Sequence, residues 1–175
     1  HADEGVGRLP EVLQHVPTDR PYDFSKELFP LLLEMGRPLY GMPMDGYWQD
    51  VGNLDQYRQA NFDALEGQVN LTIPGILLRG NIWRGEGVEL DDLDQVEGPT
   101  LISNYCRVAR DAHVGPHSVL SASVTLLEGS RTVRSVIDAS SHIGRGALVE
   151  GAIIGRSCDI RAHARLQEGV AIGDE

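Results

Sequence analysis

Lysine is almost missing from this chain. Of its 15 basic residues 14 are arginines, and Lys26 is the single lysine. The 26 acidic residues outnumber them, so the formal net charge at pH 7 is −11. A surface this acidic disfavours unspecific binding to nucleic acid or to an anionic membrane, and we therefore expect neither as a partner. If the protein handles phosphates, a few well-placed cations or a metal ion must offset their charge.

Long apolar runs are absent as well. No stretch approaches the roughly 18 apolar residues of a membrane-spanning helix, and no signal-peptide pattern opens the chain. These absences favour a cytoplasmic setting. The first residue is His1 rather than Met, so we expect a piece of a longer polypeptide.

A six-residue repeat organises the second half of the chain. Aliphatic residues recur at Ile102, Val108 and Val114, and a small residue follows each of them four places later. An α-helix has a period of about 3.6 residues and a strand a period of about 2, so neither explains this spacing. A coil with three flat faces does, because each face needs one large and one small inward side chain before the chain turns a corner. The pattern predicts a parallel β-helix.

The repeat continues through residues 84–175, which amount to about five coils of 18 residues. The frame slips by one residue before Ile143 and again before Ile154, as corners and bulges tolerate. Cys106 and Cys158 both occupy the small inward position of their hexapeptides. We therefore expect two buried thiols rather than a disulfide, which also fits a cytoplasmic setting.

The first part of the chain has helical spacing and turn signals in place of the repeat. Asp23 and Asn53 are good N-caps for helices predicted at residues 26–35 and 54–65, and Pro30 is expected to end the first turn of the former early or to kink it. Residues 38–44 read as a short strand. These pieces cannot form a domain with a sheet of its own, and they look like the last quarter of one.

Three segments of this first part carry a family resemblance. They are DFSKELFP at residues 23–30, GYWQDVGN at residues 46–53, and Tyr57. Together with the repeat they resemble the sugar-1-phosphate nucleotidyltransferases, and most closely mannose-1-phosphate guanylyltransferase-like proteins with a C-terminal left-handed β-helix of hexapeptides. The left hand of the helix is taken from this resemblance.

The resemblance implies three parts and an activity. Residues 1–68 are expected to be a small α/β remnant of the catalytic domain, residues 69–83 a linker, and residues 84–175 the left-handed β-helix. The family joins a nucleoside triphosphate to a sugar-1-phosphate, here with GDP-mannose as the expected product. The family's glycine-rich nucleotide loop is absent from this sequence, so we expect the chain alone to be inactive. The β-helix is expected to serve assembly, as a homo-oligomer, or regulation.

The resemblance also indicates site residues. Asp50 matches the carboxylate that holds Mg²⁺ in the family, and an Asp at a strand end beside a glycine turn can present both oxygens to an ion. Lys26 and Asp23 match a motif that lines the sugar-phosphate pocket, and an ammonium near a helix N-terminus can neutralise a phosphate. Without the resemblance, Asp50 is better explained as a turn or capping residue and Asp23 as an N-cap. No catalytic residue is predicted in this chain.

Two other functions fit parts of the sequence. A hexapeptide acyltransferase would use acyl-coenzyme A and a histidine general base at a groove between subunits of a trimer, with His113 or His163 as the candidates. Residues 20–65 have no role in that hypothesis. Solvated corner histidines, including His117 and His142, are the simpler interpretation. The other alternative is a non-catalytic binding or scaffold module, in which the nucleotidyltransferase remnant is a relic.

Overall fold

The computed structural model describes residues 9–174, and the chain divides into two compact units, His1–Gly46 and Tyr47–Glu175. Residues 1–8 of the predicted remnant and the last residue of the predicted β-helix, Glu175, lie outside the described residues. None of the helices within the described range is long and apolar enough to cross a membrane.

The first unit contains short helical pieces. α1 (Leu9–Leu13) precedes a π-helical turn (Phe24–Leu28) and α2 (Phe29–Glu34). The prediction of one helix over residues 26–35 is therefore wrong as a continuous element, whereas the interruption expected at Pro30 is confirmed. Pro30 stands in the first turn of α2, where its missing N–H is harmless, whereas the same residue would break a continuous helix.

The strand predicted at residues 38–44 is also wrong. Residues 37–45 have no regular secondary structure, apart from a bend at the end of this unit. A short strand gains its ladder hydrogen bonds only from a neighbouring strand, and the described part of this unit holds none. Leu28 and Leu32 are buried where the π-helical turn and α2 pack together, so the core of this unit is small.

The second unit opens with an irregular segment and α3 (Leu54–Leu65), as predicted. The side chain of Asn53 caps the helix by accepting a hydrogen bond from the Gln56 amide at 2.9 Å. The side chain of Gln56 in turn accepts a hydrogen bond from the Gly52 amide at 2.9 Å. These two bonds fix where the helix begins.

The remainder of the second unit is built from short strands. In chain order they are β1 (Ile76–Leu78), β2 (Ile82–Arg84), β3 (Glu89–Leu90), β4 (Thr100–Ile102), β5 (Arg107–Val108), β6 (His113–Val114), β7 (Ser118–Leu120), β8 (Thr125–Leu126), β9 (Arg131–Val133), β10 (Val136–Ile137), β11 (His142–Ile143), β12 (Leu148–Glu150), β13 (Ile153–Ile154), β14 (Asp159–Ile160), β15 (Arg165–Leu166) and β16 (Ala171–Ile172). The segment predicted as a linker thus contains β1 and most of β2.

These strands form a parallel β-helix of about five coils, so the predicted fold is confirmed. Face A is the sheet with strand order β1-β2-β4-β7-β10-β13-β16. Face B has the order β14-β11-β8-β5-β3, and face C has the order β15-β12-β9-β6. The pairing is parallel throughout these sheets except between β1 and β2, which are antiparallel.

The core of the β-helix is a set of stacked aliphatic side chains. Ile102, Leu120 and Ile137 lie opposite one another in successive strands of face A and are fully buried. Burying such a side chain contributes about 1.5–3 kcal/mol, so the stack is the main stabilising element of the coil. Cys106 and Cys158 are buried at the small inward positions and form no disulfide, as predicted.

Both predicted slips of the frame lie at the corner that leads from face C to face A. The frame there runs from Thr132 to Ile137 and from Val149 to Ile154, one residue short of six. Ile137 nevertheless pairs with Leu120 on one side and with Ile154 on the other. The corner absorbs the missing residue, and the inward stack continues in register.

The outer surface of face A is apolar, unlike the other two faces. Its outward row is Trp83, Leu101, Val119, Val136 and Ile153. The outward rows of the other faces are Glu89, Arg107, Thr125, His142 and Asp159 on face B, and His113, Arg131, Leu148 and Arg165 on face C. Leu65 of α3 and Ile73 pack on the middle of the face A row, where Val119 and Val136 are buried. Face A is therefore the side of the β-helix that α3 covers.

Candidate functional site

Asp50, the predicted magnesium ligand, lies in the segment that leads into α3. Residues 47–52 have no regular secondary structure, so the strand end at which we expected Asp50 is absent. The capping role at the start of α3 falls to Asn53 instead. The Asp50 side chain is exposed, and no other residue within 9–174 forms a hydrogen bond or ion pair with it. Its carboxylate is therefore open to a ligand from solution.

The segment around Asp50 is anchored to α3 at both ends. The Gly52 amide donates to Gln56, and the Tyr47 hydroxyl donates to the Oδ2 atom of Asp63 at 2.7 Å. This hydrogen bond to a carboxylate is the main reason that the pKa of the Tyr47 hydroxyl is raised above its ordinary value. The tyrosine therefore stays protonated and keeps donating at physiological pH.

The first half of α3 is tied to the β-helix by Arg58. Its side chain is only 11% exposed, donates to the carbonyl of Gly151, and places Nη2 3.3 Å from the Oε1 atom of Glu168. Arg134 reaches the same oxygen of Glu168 at 3.2 Å. These side chains and Gln49 line an open groove of about 320 Å³.

The end of α3 is tied to the β-helix by His117. Its Nε2 atom lies 2.8 Å from the Oε1 atom of Glu66, and its ring centroid lies 5.2 Å from that of Phe62. The hydrogen bond from His117 is the main cause of a lowered pKa for the Glu66 carboxyl. The sequence interpretation of His117 as a solvated corner histidine is wrong, because the ring packs against α3.

Asp23 and Lys26, the predicted substrate-binding residues, lie in the first unit, whereas Asp50 lies in the second. Asp23 caps the π-helical turn, with its Oδ1 atom accepting from the amides of Ser25 at 2.8 Å and Lys26 at 2.9 Å. The Lys26 ammonium is 4.0 Å from the other Asp23 oxygen, and its side chain is exposed. The interpretation of Asp23 as an N-cap is thus confirmed. The Lys26 ammonium is accessible to an anion from solution. Their substrate-binding role stays a prediction.

The donor set within residues 9–174 contains no cluster of three or more His, Cys, Asp or Glu side chains that could hold a metal ion. Asp50 is one exposed carboxylate. Mg²⁺ commonly takes one or two carboxylates and completes its octahedron with waters and phosphate oxygens, so a single carboxylate fits its chemistry. A Zn²⁺ site, which needs three or four protein ligands, does not fit these residues.

The histidines proposed for an acyltransferase lie on the outside of the coil. His113 is exposed in β6 and lines a small pocket of about 120 Å³ with Asp94 and Arg131. His163 is exposed at a corner, with a backbone φ of 60°. Their catalytic role stays an alternative prediction.

The buried thiol of Cys106 is a poor nucleophile candidate. Burial raises the pKa of the Cys106 thiol to about 11, so the reactive thiolate is scarce at neutral pH. The sulfur also lies 3.0 Å from the carbonyl oxygen of Ser121, to which it can donate. Cys106 therefore acts as a core residue.

Two segments of the chain match known protein families. Residues 10–67 match the family described as nucleotidyl transferase, a segment that contains Asp23, Lys26 and Asp50. Residues 96–175 match the family described as GMPPB C-terminal domain.

Among curated proteins, the UTP–glucose-1-phosphate uridylyltransferase of Synechocystis sp. is 34% identical over 152 residues, covering 85% of this chain and 39% of that protein. The glucose-1-phosphate adenylyltransferase of Bacillus cytotoxicus is 34% identical over 143 residues, covering 78% of this chain and 36% of that protein. That of Bacillus thuringiensis is 34% identical over 139 residues, covering 76% and 35%. The chain thus spans less than two fifths of the length of these relatives. The chain therefore carries a nucleotidyl transferase segment and a GMPPB C-terminal segment, and its relatives are sugar-1-phosphate nucleotidyltransferases.

Proposed function

We propose that this chain is part of an enzyme that makes a nucleotide sugar, GDP-mannose, from a nucleoside triphosphate and a sugar-1-phosphate. The observation that carries the proposal is the nucleotidyl transferase match over residues 10–67, the segment in which all three predicted site residues fall. The relatives named for UTP or ATP and glucose-1-phosphate support the same reaction type. Mannose is supported by the motif resemblance and by the match to the GMPPB C-terminal domain.

In the proposed reaction an oxygen of the sugar-1-phosphate attacks the α-phosphorus of the triphosphate, and pyrophosphate leaves. Both substrates are anionic, so the site must offset their charge. Bound Mg²⁺ offsets charge on phosphate oxygens, and Asp50 is the residue of this chain that would hold it. Lys26 would neutralise the sugar phosphate, with Asp23 fixing the turn that carries it.

The test is a chimera in which the N-terminal part of the Synechocystis relative, up to its matched segment, precedes this chain. Pyrophosphate release is measured with each nucleoside triphosphate and with mannose-1-phosphate or glucose-1-phosphate. Because the Synechocystis part supplies the nucleotide loop, the triphosphate preference should follow that part, and release should be fastest with mannose-1-phosphate if this chain sets the sugar preference. A preference for glucose-1-phosphate in every combination would contradict the mannose assignment.

The same chimera tests the site. We expect Asp50→Asn to lower kcat by about a hundredfold or more, because the loss of a metal ligand removes most of the charge stabilisation. Asp45→Asn, which alters an exposed carboxylate five residues upstream, is the matched control. Full activity of the Asp50→Asn chimera would exclude the metal role. Turnover by the isolated 175-residue chain would contradict the proposal that it is inactive alone.

The β-helix is proposed to assemble copies of the enzyme in the cytoplasm. Its support is the regular coil itself, which offers flat faces and short unpaired edges, together with buried thiols that suit a reducing compartment. Light scattering of the purified chain measures its oligomeric state. A monomer at all concentrations would contradict assembly through the β-helix.

A further inference from the structure

Residues 47–52 form a loop that is fixed at both ends although it has no regular secondary structure. At one end the Gly52 amide donates to Gln56 at the start of α3. At the other end the Tyr47 hydroxyl donates to Asp63, which lies about two turns beyond Gln56 on the same helix. The segment that carries Asp50 is therefore held against α3 by a hydrogen bond at each end.

Asp63 is an unusual residue for this place. It is 7% exposed, and an ionised carboxylate is costly to bury unless its oxygens are satisfied. Both oxygens are satisfied here, because Oδ1 accepts from the Nε2 atom of Gln59 at 2.7 Å and Oδ2 accepts from Tyr47. The carboxylate is not needed to dock the helix, since Phe62 and Leu65 make the buried apolar contacts of α3. The Asp63 carboxylate instead anchors the loop through its hydrogen bond with Tyr47.

We propose that Asp63 is a positioning residue that holds the Asp50 carboxylate in place through its hydrogen bond to Tyr47. The inference rests on the proposed metal-binding role of Asp50. Three peptide bonds separate Tyr47 from Asp50, so at most about 11 Å of extended chain joins them. With Gly52 anchored on the other side, the Asp50 carboxylate samples few positions, and less conformational entropy is lost when an ion binds.

The 175-residue chain carries its own reporter for this loop. Trp48 lies within it and is 74% exposed, and the second tryptophan, Trp83, is removed by Trp83→Phe. Anisotropy decay and acrylamide quenching then report on residue 48 alone. Tyr47→Phe deletes only the hydroxyl, and Asp63→Asn keeps the shape while it removes the charge. Tyr57→Phe is the matched control, since its hydroxyl makes no hydrogen bond among the residues that the structure describes.

Metal binding is measured separately by titration with Mn²⁺, in which electron paramagnetic resonance gives the concentration of unbound ion. Asp50→Asn identifies the share of binding that depends on this carboxylate, because the acidic surface also attracts the ion. We expect Tyr47→Phe and Asp63→Asn to weaken the Asp50-dependent binding by about tenfold and to speed the depolarisation of Trp48. Tyr57→Phe should change neither quantity.

Each outcome decides a different point. If Trp48 is equally restrained with and without the Tyr47 hydroxyl, the inference is wrong whatever the metal does. If the loop loosens while Asp50-dependent affinity is kept, Asp63 does not position Asp50, although the metal role stands. If Asp50→Asn leaves Mn²⁺ binding unchanged, the proposed metal role is wrong and the positioning role falls with it. Should Asp63→Asn fail to fold by circular dichroism, Tyr47→Phe alone decides.

Discussion

The interior of the β-helix and the layer formed by residues 47–65 are held together in different ways. The interior repeats one contact, an aliphatic side chain stacked on its counterpart in the next coil, as Ile137 stacks on Leu120. The layer relies largely on single polar contacts, such as Tyr47 to Asp63. We expect the loss of one repeated contact to lower the free energy of unfolding. We expect the loss of a single polar contact mainly to change where the loop lies.

The largest expected effect lies in the interior. Ile137→Ala removes a fully buried side chain from the middle of the stack and should lower the free energy of unfolding by about 3–4 kcal/mol, because a cavity remains. Val51→Ala, at a half-exposed position of the loop, is the matched control and should cost less than about 0.5 kcal/mol. Urea unfolding followed by circular dichroism measures both. Equal costs would remove the distinction between the two regions.

The next effect lies where the two regions meet. Gly151 has a φ of 63°, and an added Cβ would lie 2.9 Å from the Cα atom of Glu168. We expect Gly151→Ala to cost about 2–4 kcal/mol, because left-handed strain adds to a backbone clash. Gly129→Ala is the control, with a φ of 67° and open space around its Cβ, and should cost only about 1 kcal/mol. If thermal unfolding shows equal destabilisation by Gly151→Ala and Gly129→Ala, the close approach of Gly151 to Glu168 does not contribute.

A smaller effect of opposite sign is expected from Thr132. This fully buried residue occupies an aliphatic position of the repeat, and its hydroxyl has no hydrogen-bond partner among residues 9–174. Thr132→Val keeps the shape and removes the unsatisfied group, so the free energy of unfolding should rise by about 1 kcal/mol. A decrease in the urea midpoint would indicate that the hydroxyl is satisfied, for instance by a buried water. Thr125→Val, on the outer row of face B, serves as the control.

The smallest effect is a pH dependence in the layer. The pKa of Glu66 is lowered in the folded protein, chiefly by His117 and then by Gln68. The stabilisation is therefore complete above the ordinary pKa of a glutamate and is lost as the pH falls through the lowered value. Between about pH 5 and pH 3 the unfolding free energy of the wild type should fall more steeply than that of Glu66→Gln. Parallel curves would contradict a contribution from this contact, and Glu97→Gln controls for total charge.

The β-helix could be predicted because its stabilising contact is periodic. A period of six is visible along the chain, and so are the slips before Ile143 and Ile154. One periodic signal was missed: an aliphatic doublet at every third hexapeptide, as in Leu101–Ile102 and Val119–Leu120. The other faces place a polar residue first, apart from Leu148 on face C. Such doublets indicate an outer face that another element covers, which is what face A proves to be.

The polar layer could be predicted only in part. Asn53 signals its helix by local capping chemistry. In the first unit, the strand expected at residues 38–44 depends on a partner strand that the described part of that unit does not provide. Arg58 and Glu168 are 110 residues apart and follow no spacing rule, so their contact was invisible in the sequence. Asp63 carried one weak signal, its distance of four residues from Gln59 on a predicted helix.

α3 and its C-cap residue contact the β-helix at two corners that lie two coils apart. Glu66 meets the corner residue His117, while Arg58, about 12 Å back along the helix axis, meets the corner of Gly151 two coils later. Two steps between stacked coils cover about 9.6 Å, a distance that this part of α3 and the long Arg58 side chain span together. Inserting or deleting a coil between these corners would break one of the two contacts. We expect coils outside that interval to vary more in number among relatives than coils within it, and a comparison of repeat counts would test this.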